Sequence, residues 1–313
     1  MTETEPYDHS SWIPIKKENR GECRDIIFVI PGVDAPTNQI SCSEFFVRVP
    51  FLHNYHSSET IVSVHINGHK IEAMNMFFEE NGRCRFVNAC EGSPYRPSAE
   101  ILEMLGGRGK NHNQSFILDP NQNNRMSFVI PSKDITLECI MYVWSSSDSV
   151  IVCDIDGTIT ASNIKGMLDP SHVHRGVCRF FSNILESSDG FYVSSRSVDS
   201  TPSDSSFFCS KVRLVYLTSR PLATLHMTRK LLSGLQQKDS KLNLSMLTST
   251  RMGEVTPHDA SLPPGPIFCQ EYGLFRALYS ETIKKDVHEI KSAALRNLIV
   301  NPFQIAGRPN VSN

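Results

Sequence analysis

Ser149-Val-Ile-Val-Cys-Asp154-Ile-Asp156-Gly157-Thr158-Ile-Thr160 decides the fold class. An apolar run, Val150 to Cys153, leads straight into Asp-x-Asp-Gly-Thr. A run without alternation reads as a central parallel strand, apolar on both faces. Ligands of open α/β sheets bind beyond the carboxyl ends of such strands, so Asp154 and Asp156 fall where a substrate is expected. A turn begins at Asp156, which lets both carboxylates reach one pocket, and Gly157 permits the sharp bend. One carboxylate can attack phosphorus while the other holds a proton for the leaving group, with a metal ion neutralising the pair. A strand followed by a plain Asp-Gly turn is the alternative. The apolar strand in front of the motif favours the chemical reading.

A second apolar strand, Val212 to Leu217, ends in Thr218-Ser219-Arg220-Pro221 and is followed by a helical pattern. A hydroxyl at a strand end, beside the free N–H groups of a helix start, is a phosphate-binding arrangement. Simple capping by Thr218 and Ser219 is the competing explanation. A phosphate site also needs a cation, and Lys284, Lys285 and Lys291 are the candidates on a later helical stretch. His172 and His174 read as loop histidines.

The 313 residues allow about two domains. Lys+Arg 31 against Asp+Glu 33 leaves no global field to draw the chain to nucleic acid or an anionic surface. The nine cysteines are scattered, odd in number and without zinc-ligand spacing, which points to free thiols in a reducing compartment. No apolar run approaches a membrane span, and the first twenty residues lack the apolar centre of a signal peptide.

Before the first motif the pattern is β: Asp25–Ile30, Glu44–Val49, Thr60–Ile66 with an Asn67-Gly68 hairpin signal, Lys70–Phe78, an Asn81-Gly82 turn, and Cys84–Val87. Strands resume at Met126–Ile130 and Thr136–Trp144. Such short strands suggest a β-sandwich. Helices are expected near Ala99–Leu105, Arg175–Leu185, Ala223–Leu235 and Tyr272–Ile283. The Ser-rich 187–208 and the polar 236–261 read as mobile insertions.

Together, Asp154-Ile-Asp156-Gly-Thr-Ile-Thr160, Leu217-Thr218-Ser-Arg220 and a later lysine resemble the haloacid dehalogenase superfamily of phosphotransferases. Tyr142-Val-Trp144, His174-Arg-Gly176, Leu262-Pro-Pro-Gly-Pro266, Leu274-Phe-Arg-Ala-Leu278 and Glu281-Thr-Ile narrow the resemblance to the lipins, magnesium-dependent phosphatidate phosphatases. Asp25-Ile-Ile-Phe-Val, Cys42-Ser-Glu-Phe-Phe-Val-Arg48 and Val64-His-Ile-Asn67-Gly68 resemble the lipin N-terminal domain. Glu289-Ile-Lys291 matches the place of a family Phe-Lys and singles out Lys291.

The resemblance implies an α/β, Rossmann-like catalytic domain of haloacid dehalogenase type, plus an immunoglobulin-like β-sandwich built from the N-terminal strands and the strands just before the catalytic domain. The implied segments are a flexible arm (1–20), an N-terminal lipin domain (21–90), a linker (91–114), the remaining sandwich strands (115–148) and a C-terminally shortened phosphatase domain (149–313). It further implies Asp154 as nucleophile and metal ligand, and Asp156 as acid, base and metal ligand. Thr158 would orient the Asp156 loop, and Thr218, Ser219 and Lys291 would bind phosphate. The cofactor would be Mg2+ and the partner phosphatidate at a membrane surface. The location would be cytoplasmic, peripheral to the endoplasmic reticulum or nuclear membrane.

The pattern departs from the family in three places. Residues 1–20 hold only Trp12, Ile13 and Ile15, broken by Pro14, where the family has an amphipathic helix. Both insertions are longer than in compact members. The family's Gly-Asn-Arg-x-x-Asp motif is replaced by Gly307-Arg-Pro-Asn310-Val311, with Val311 at the place of a metal-binding Asp. A lipin-like protein that binds phosphatidate or a protein partner without catalysis is therefore the second expectation. A phosphatidylinositol-transfer-type relative is a third, but such proteins lack the first Asp.

Overall fold

Interleaving of distant strands organises the first half of the molecule. The computed structural model describes residues 12–15, 21–32, 35–49, 60–107, 118–119, 123–161, 173–189, 210–237, 260–270 and 291–308. The strands of the larger sheet are β1 (Ile26–Ile30), β2 (Ser41–Cys42), β3 (Ile61–Ile66), β4 (His69–Phe78), β5 (Cys84–Phe86), β6 (Asn124–Ile130) and β7 (Ile135–Ser145). They lie in the order β2-β1-β7-β6-β3-β4-β5, all antiparallel except β1 with β7. The β6–β7 hairpin is thus central, with β1 on one side of it and β3 on the other. The Asn67-Gly68 turn forms as expected, with positive φ at both residues (51° and 84°), the geometry that two-residue hairpins favour.

Strict alternation in β1 and β7 gives this sheet two buried faces. Ile26, Phe28, Cys139 and Met141 face a core that includes Phe45, Phe86 and Phe128, closed by helix α1 (Ala99–Leu105). Ile27, Val29, Tyr142 and Trp144 face the other way, onto Val215, Phe268 and Phe303 of the second half. That half is built on three parallel strands, β8 (Ser149–Asp154), β9 (Val212–Pro221) and β10 (Ile267–Gln270), in the order β8-β9-β10. Helices α2 (Val177–Asp189) and α3 (Leu225–Ser233) belong to it, as do helical residues 291–295, a π-helical turn Arg296–Val300 and helix α4 (Asn301–Ile305). The whole is a mixed α/β fold with a curled sheet and helices.

Two buried carboxylates tie the halves and set the start of β8. Asp25 is fully buried and accepts from Arg229 Nη2 at 2.6 Å, Ile140 N at 3.0 Å and Ile267 N at 3.1 Å. One side chain therefore joins β1, β7, β10 and α3. Asp148 accepts from Ser145 N (3.1 Å), Lys211 N (2.9 Å) and Arg213 Nε (2.7 Å), which holds the turn between β7 and β8 against the start of β9.

Four expectations need correction. Strand β8 is not central: β9 is, and among the described residues β8 lies at the sheet edge with Val152 39% exposed. An unbroken apolar run signals burial of a strand but does not distinguish its place in a sheet. The expected strand 44–49 reduces to Val47–Arg48, paired with Glu22–Cys23, because Phe45 N donates instead to Tyr95 O and Phe46 O accepts from Arg24 N, outside a regular ladder. The segment read as a linker contains, besides the expected helix α1, which buries Ile101, Leu102 and Leu105, the strand Ser93–Pro97. In the arm, residues 12–15 are docked: Ile13 is buried, and Trp12 donates from Nε1 to Leu262 O at 2.9 Å and lies 5.7 Å from the Tyr216 ring. Apolar side chains there bury area on two elements, which outweighs the disorder expected of a terminus. The helix expected at 272–283 and most of both insertions lie outside the described residues.

The pairing has a direct consequence. A fragment spanning 115–313 would lose β1 and β3 from both sides of the central hairpin, exposing two core faces. It is expected to be insoluble or to lack a cooperative melting transition. Calorimetry of the purified fragment checks this, and a cooperatively melting fragment would show that the halves fold separately.

Candidate active site

The site grows from the carboxyl end of β8. Asp154 is register partner to Leu217 of β9, and Ile155 N continues the pairing to Leu217 O at 2.9 Å. The chain then closes on itself. Ile155 O accepts from Ile159 N (3.0 Å), Thr160 N (3.0 Å) and Thr160 Oγ1 (3.2 Å), and Gly157 N donates to Thr160 O (2.9 Å). Gly157 sits at φ 91°, a conformation that costs a Cβ-bearing residue energy. Ile155 and Ile159 are fully buried and anchor the loop from below. The loop is therefore a fixed platform for Asp156.

Asp156 is nearly enclosed, its side chain 5% exposed. Thr218 Oγ1 donates to its Oδ2 at 2.5 Å. Arg220 Nε lies 3.0 Å and Nη2 2.8 Å from its Oδ1. Thr218 and Arg220 are two apart on β9, so the strand's pleat puts them on one side, and Arg220 N also donates to Thr218 Oγ1 at 3.1 Å. Asp154 is more open, 36% exposed, and accepts from Lys291 Nζ at 2.9 Å. Four of the residues singled out in the sequence, Asp154, Asp156, Thr218 and Lys291, thus meet in two contacts that span 62 and 137 residues of chain.

The others are less engaged. Thr158 is exposed on the loop, whose closing hydrogen bonds belong to Gly157, Ile159 and Thr160. Ser219 is exposed at the end of β9. His174 is exposed, and its N–H and C=O serve Ile159 and Gln237. Lys284, Lys285, His172 and Val311 lie outside the described residues. Two residues escaped the sequence reading. Arg220 could have been found from its i, i+2 relation to Thr218. Thr160 closes the loop from within the quoted motif.

Nearby thiols are inert. Burial, and then the Asp154 carboxylate, push Cys153 up to about 11, and burial pushes Cys269 up to about 12. Neither is a thiolate near neutral pH. A cleft of about 910 Å³ lies between residues 12–15, Glu22 and α3, but none of the site residues lines it.

The donor atoms Asp154 and Asp156 offer are all hard oxygens, the type a magnesium ion takes. No group of three or more His, Cys, Asp or Glu is gathered for a metal among the described residues. The Asp154 carboxylate and the Asp156 backbone carbonyl fit a metal that keeps several waters, not an all-protein cage.

A family model described as LNS2 (Lipin/Ned1/Smp2) matches residues 112–211 and 209–310, and one described as lipin, N-terminal conserved region, matches 10–103. The chain is similar to phosphatidate phosphatase PAH1 of Arabidopsis thaliana, 28% identical over 162 residues, 50% of this chain and 13% of that protein. It is also similar to nuclear elongation and deformation protein 1 of Schizosaccharomyces pombe (24% identical, 59% of this chain and 22% of that protein). Phosphatidate phosphatase LPIN2 of Mus musculus is a third (26%, 54% and 14%). The matched region spans between 13% and 22% of these relatives' own lengths. With one family model covering more than half of its residues and a second covering most of the remainder, the chain belongs to the lipin family.

Proposed function

We propose that this protein is a magnesium-dependent phosphatidate phosphatase that releases diacylglycerol and phosphate through an aspartyl-phosphate on Asp154. The observation that carries the reading is the convergence of Lys291 on Asp154 and of Thr218 on Asp156 at the carboxyl ends of parallel strands. Relatives named phosphatidate phosphatase support the substrate. The parallel strands β8, β9 and β10 support a haloacid dehalogenase-type, Rossmann-like catalytic domain. The sheet that joins the N-terminal strands to residues 124–145 supports assigning them to one immunoglobulin-like unit. Among the described residues no helix is long and apolar enough to cross a membrane. A substrate with two acyl chains places the work at a membrane surface.

In this reading Lys291 and Thr218 pass from the carboxylates to the phosphoryl oxygens when substrate arrives. Asp154 attacks phosphorus, the ester bond breaks, and Asp156 gives a proton to the departing alkoxide. Water then attacks the phosphoaspartate, Asp156 takes its proton, and phosphate leaves with Asp154 regenerated. Magnesium, held by the Asp154 carboxylate and the Asp156 backbone carbonyl, would neutralise charge shared by nucleophile and phosphate. Most of the rate would come from placement and fixed charge.

Phosphate release from phosphatidate in mixed micelles, with and without magnesium, tests the reading. Release that needs the metal is expected. No release under any condition would leave a lipid- or protein-binding role. Within the same assay Asp156→Asn, which keeps shape and backbone carbonyl but loses the proton carrier, is expected to slow turnover by about 10²-fold or more. A near-normal rate would remove Asp156 from the acid role.

A further inference from the structure

We infer that Arg220 is a positioning residue that selects which oxygen of Asp156 meets the leaving group. The inference rests on the phosphatase reading above. Arg220 is a buried cation whose ion-pair partner is Asp156. Both of its close contacts, Nε at 3.0 Å and Nη2 at 2.8 Å, go to the same atom, Oδ1. Among the described residues, Oδ2 is held by the Thr218 hydroxyl. The two oxygens are therefore not equivalent.

The hold on Oδ1 is charge-assisted and buried, so it persists when substrate enters. The hold on Oδ2 is a single hydroxyl that a phosphoryl oxygen can claim. Once Thr218 turns to the phosphoryl group, Oδ2 is the free oxygen, and Arg220 keeps it aimed. An Asp156 side chain without that anchor can rotate about its Cα–Cβ bond and present either oxygen, or neither. Loss of aim costs the two steps in which Asp156 moves a proton, protonation of the leaving oxygen and activation of the water that clears Asp154, and the first of these alone depends on the leaving group. It does not cost phosphate binding, which Lys291 and Thr218 supply, nor attack by Asp154.

This separates Arg220 from a merely structural buried arginine, such as Arg229 on Asp25. A structural role predicts equal losses with every substrate. A positioning role predicts losses that depend on the leaving group. An alkoxide needs a proton to depart, whereas the p-nitrophenolate ion departs unaided.

The test compares the full chain with Arg220→Gln and Arg220→Lys, each checked by thermal melting, on phosphatidate and on p-nitrophenyl phosphate. For Arg220→Gln, kcat/KM on phosphatidate, which reports the steps up to departure of the leaving group, is expected to fall by about 10²-fold, the usual worth of general acid catalysis. On the aryl ester kcat/KM should fall a few-fold at most, whatever loss of kcat slower clearance of the phosphoaspartate brings to both. Arg220→Lys, which restores a cation near Oδ1, should recover part of the phosphatidate rate. Equal losses of kcat/KM on the two esters would overturn the inference, as would a raised KM with kcat intact, or failure of both variants to fold. If the unsubstituted chain cleaves neither ester, the phosphatase reading fails and the inference with it. If it cleaves both and the ratio does not move, only the inference fails.

Discussion

Asp154→Asn is expected to abolish phosphate release while leaving the melting temperature within a few degrees of the parent. The side chain is 36% exposed at a strand end, and its contact is with Lys291 rather than with either core. Removing it takes nothing from the packing of β8, and asparagine keeps the volume. What it removes is the oxygen nucleophile and one anionic metal donor, because an amide attacks phosphorus poorly. The loss should be on the order of 10³-fold or more, as for other enzymes stripped of their nucleophile. A rate above a tenth of the parent's, in a variant purified free of contaminating phosphatase, would take Asp154 out of that role. A matching Lys291→Ala variant should raise KM as well as lower kcat, since the ammonium would hold the phosphoryl group both before and during attack.

Asp25→Ala is expected to give the largest loss of stability in the molecule. Its carboxylate is fully buried, and it satisfies Arg229 together with the N–H groups of Ile140 and Ile267. Truncation leaves a guanidinium without its counter-charge and two backbone donors without partners in a water-free place. Breaking one member of a buried pair costs about 3–5 kcal/mol, against a total stability of about 5–15 kcal/mol for a typical protein. Replacing both partners by apolar residues, Asp25→Leu with Arg229→Met, should cost less than Asp25→Ala alone, because no orphan charge remains. Urea titrations of the three chains, read for a change in midpoint at constant slope, check both statements. An Asp25→Ala chain as stable as the parent would mean that the N-terminal strands do not lock the catalytic sheet through this residue.

The local signals were readable because they are local. Asn67-Gly68 states its turn in two residues, and the strands at 61–66 and 124–130 carry their alternation within themselves. Asp154 and Asp156 were readable for the same reason. Lys291 was preferred to its neighbours only through its resemblance to a family motif, since nothing near it indicates a partner 137 residues away. Apart from its i, i+2 relation to Thr218, nothing local marks Arg220 for a role, its partner being 64 residues upstream. Asp25 looked like the polar start of a strand, yet Arg229 lies 204 residues further on. Interleaving of β1 and β3 around the β6–β7 hairpin was likewise beyond periodicity, which reports faces and not neighbours. Strand β8 shows the same limit, its apolar run reading as a sheet centre although among the described residues it sits at an edge.

The covalent step is the centre of the account, and acid quenching reaches it most directly. The purified chain would be mixed with phosphatidate carrying a radioactive phosphate and magnesium, stopped in acid within the first turnovers, and digested for mass spectrometry. The account predicts a label on the peptide containing Asp154, stable in acid, released by hydroxylamine as acyl phosphates are, and absent from Asp154→Asn. Asp156→Asn should carry more label, because the water that clears the intermediate loses its base. Phosphate release at the parent rate with no label on that peptide, or with the label on another residue, would contradict it.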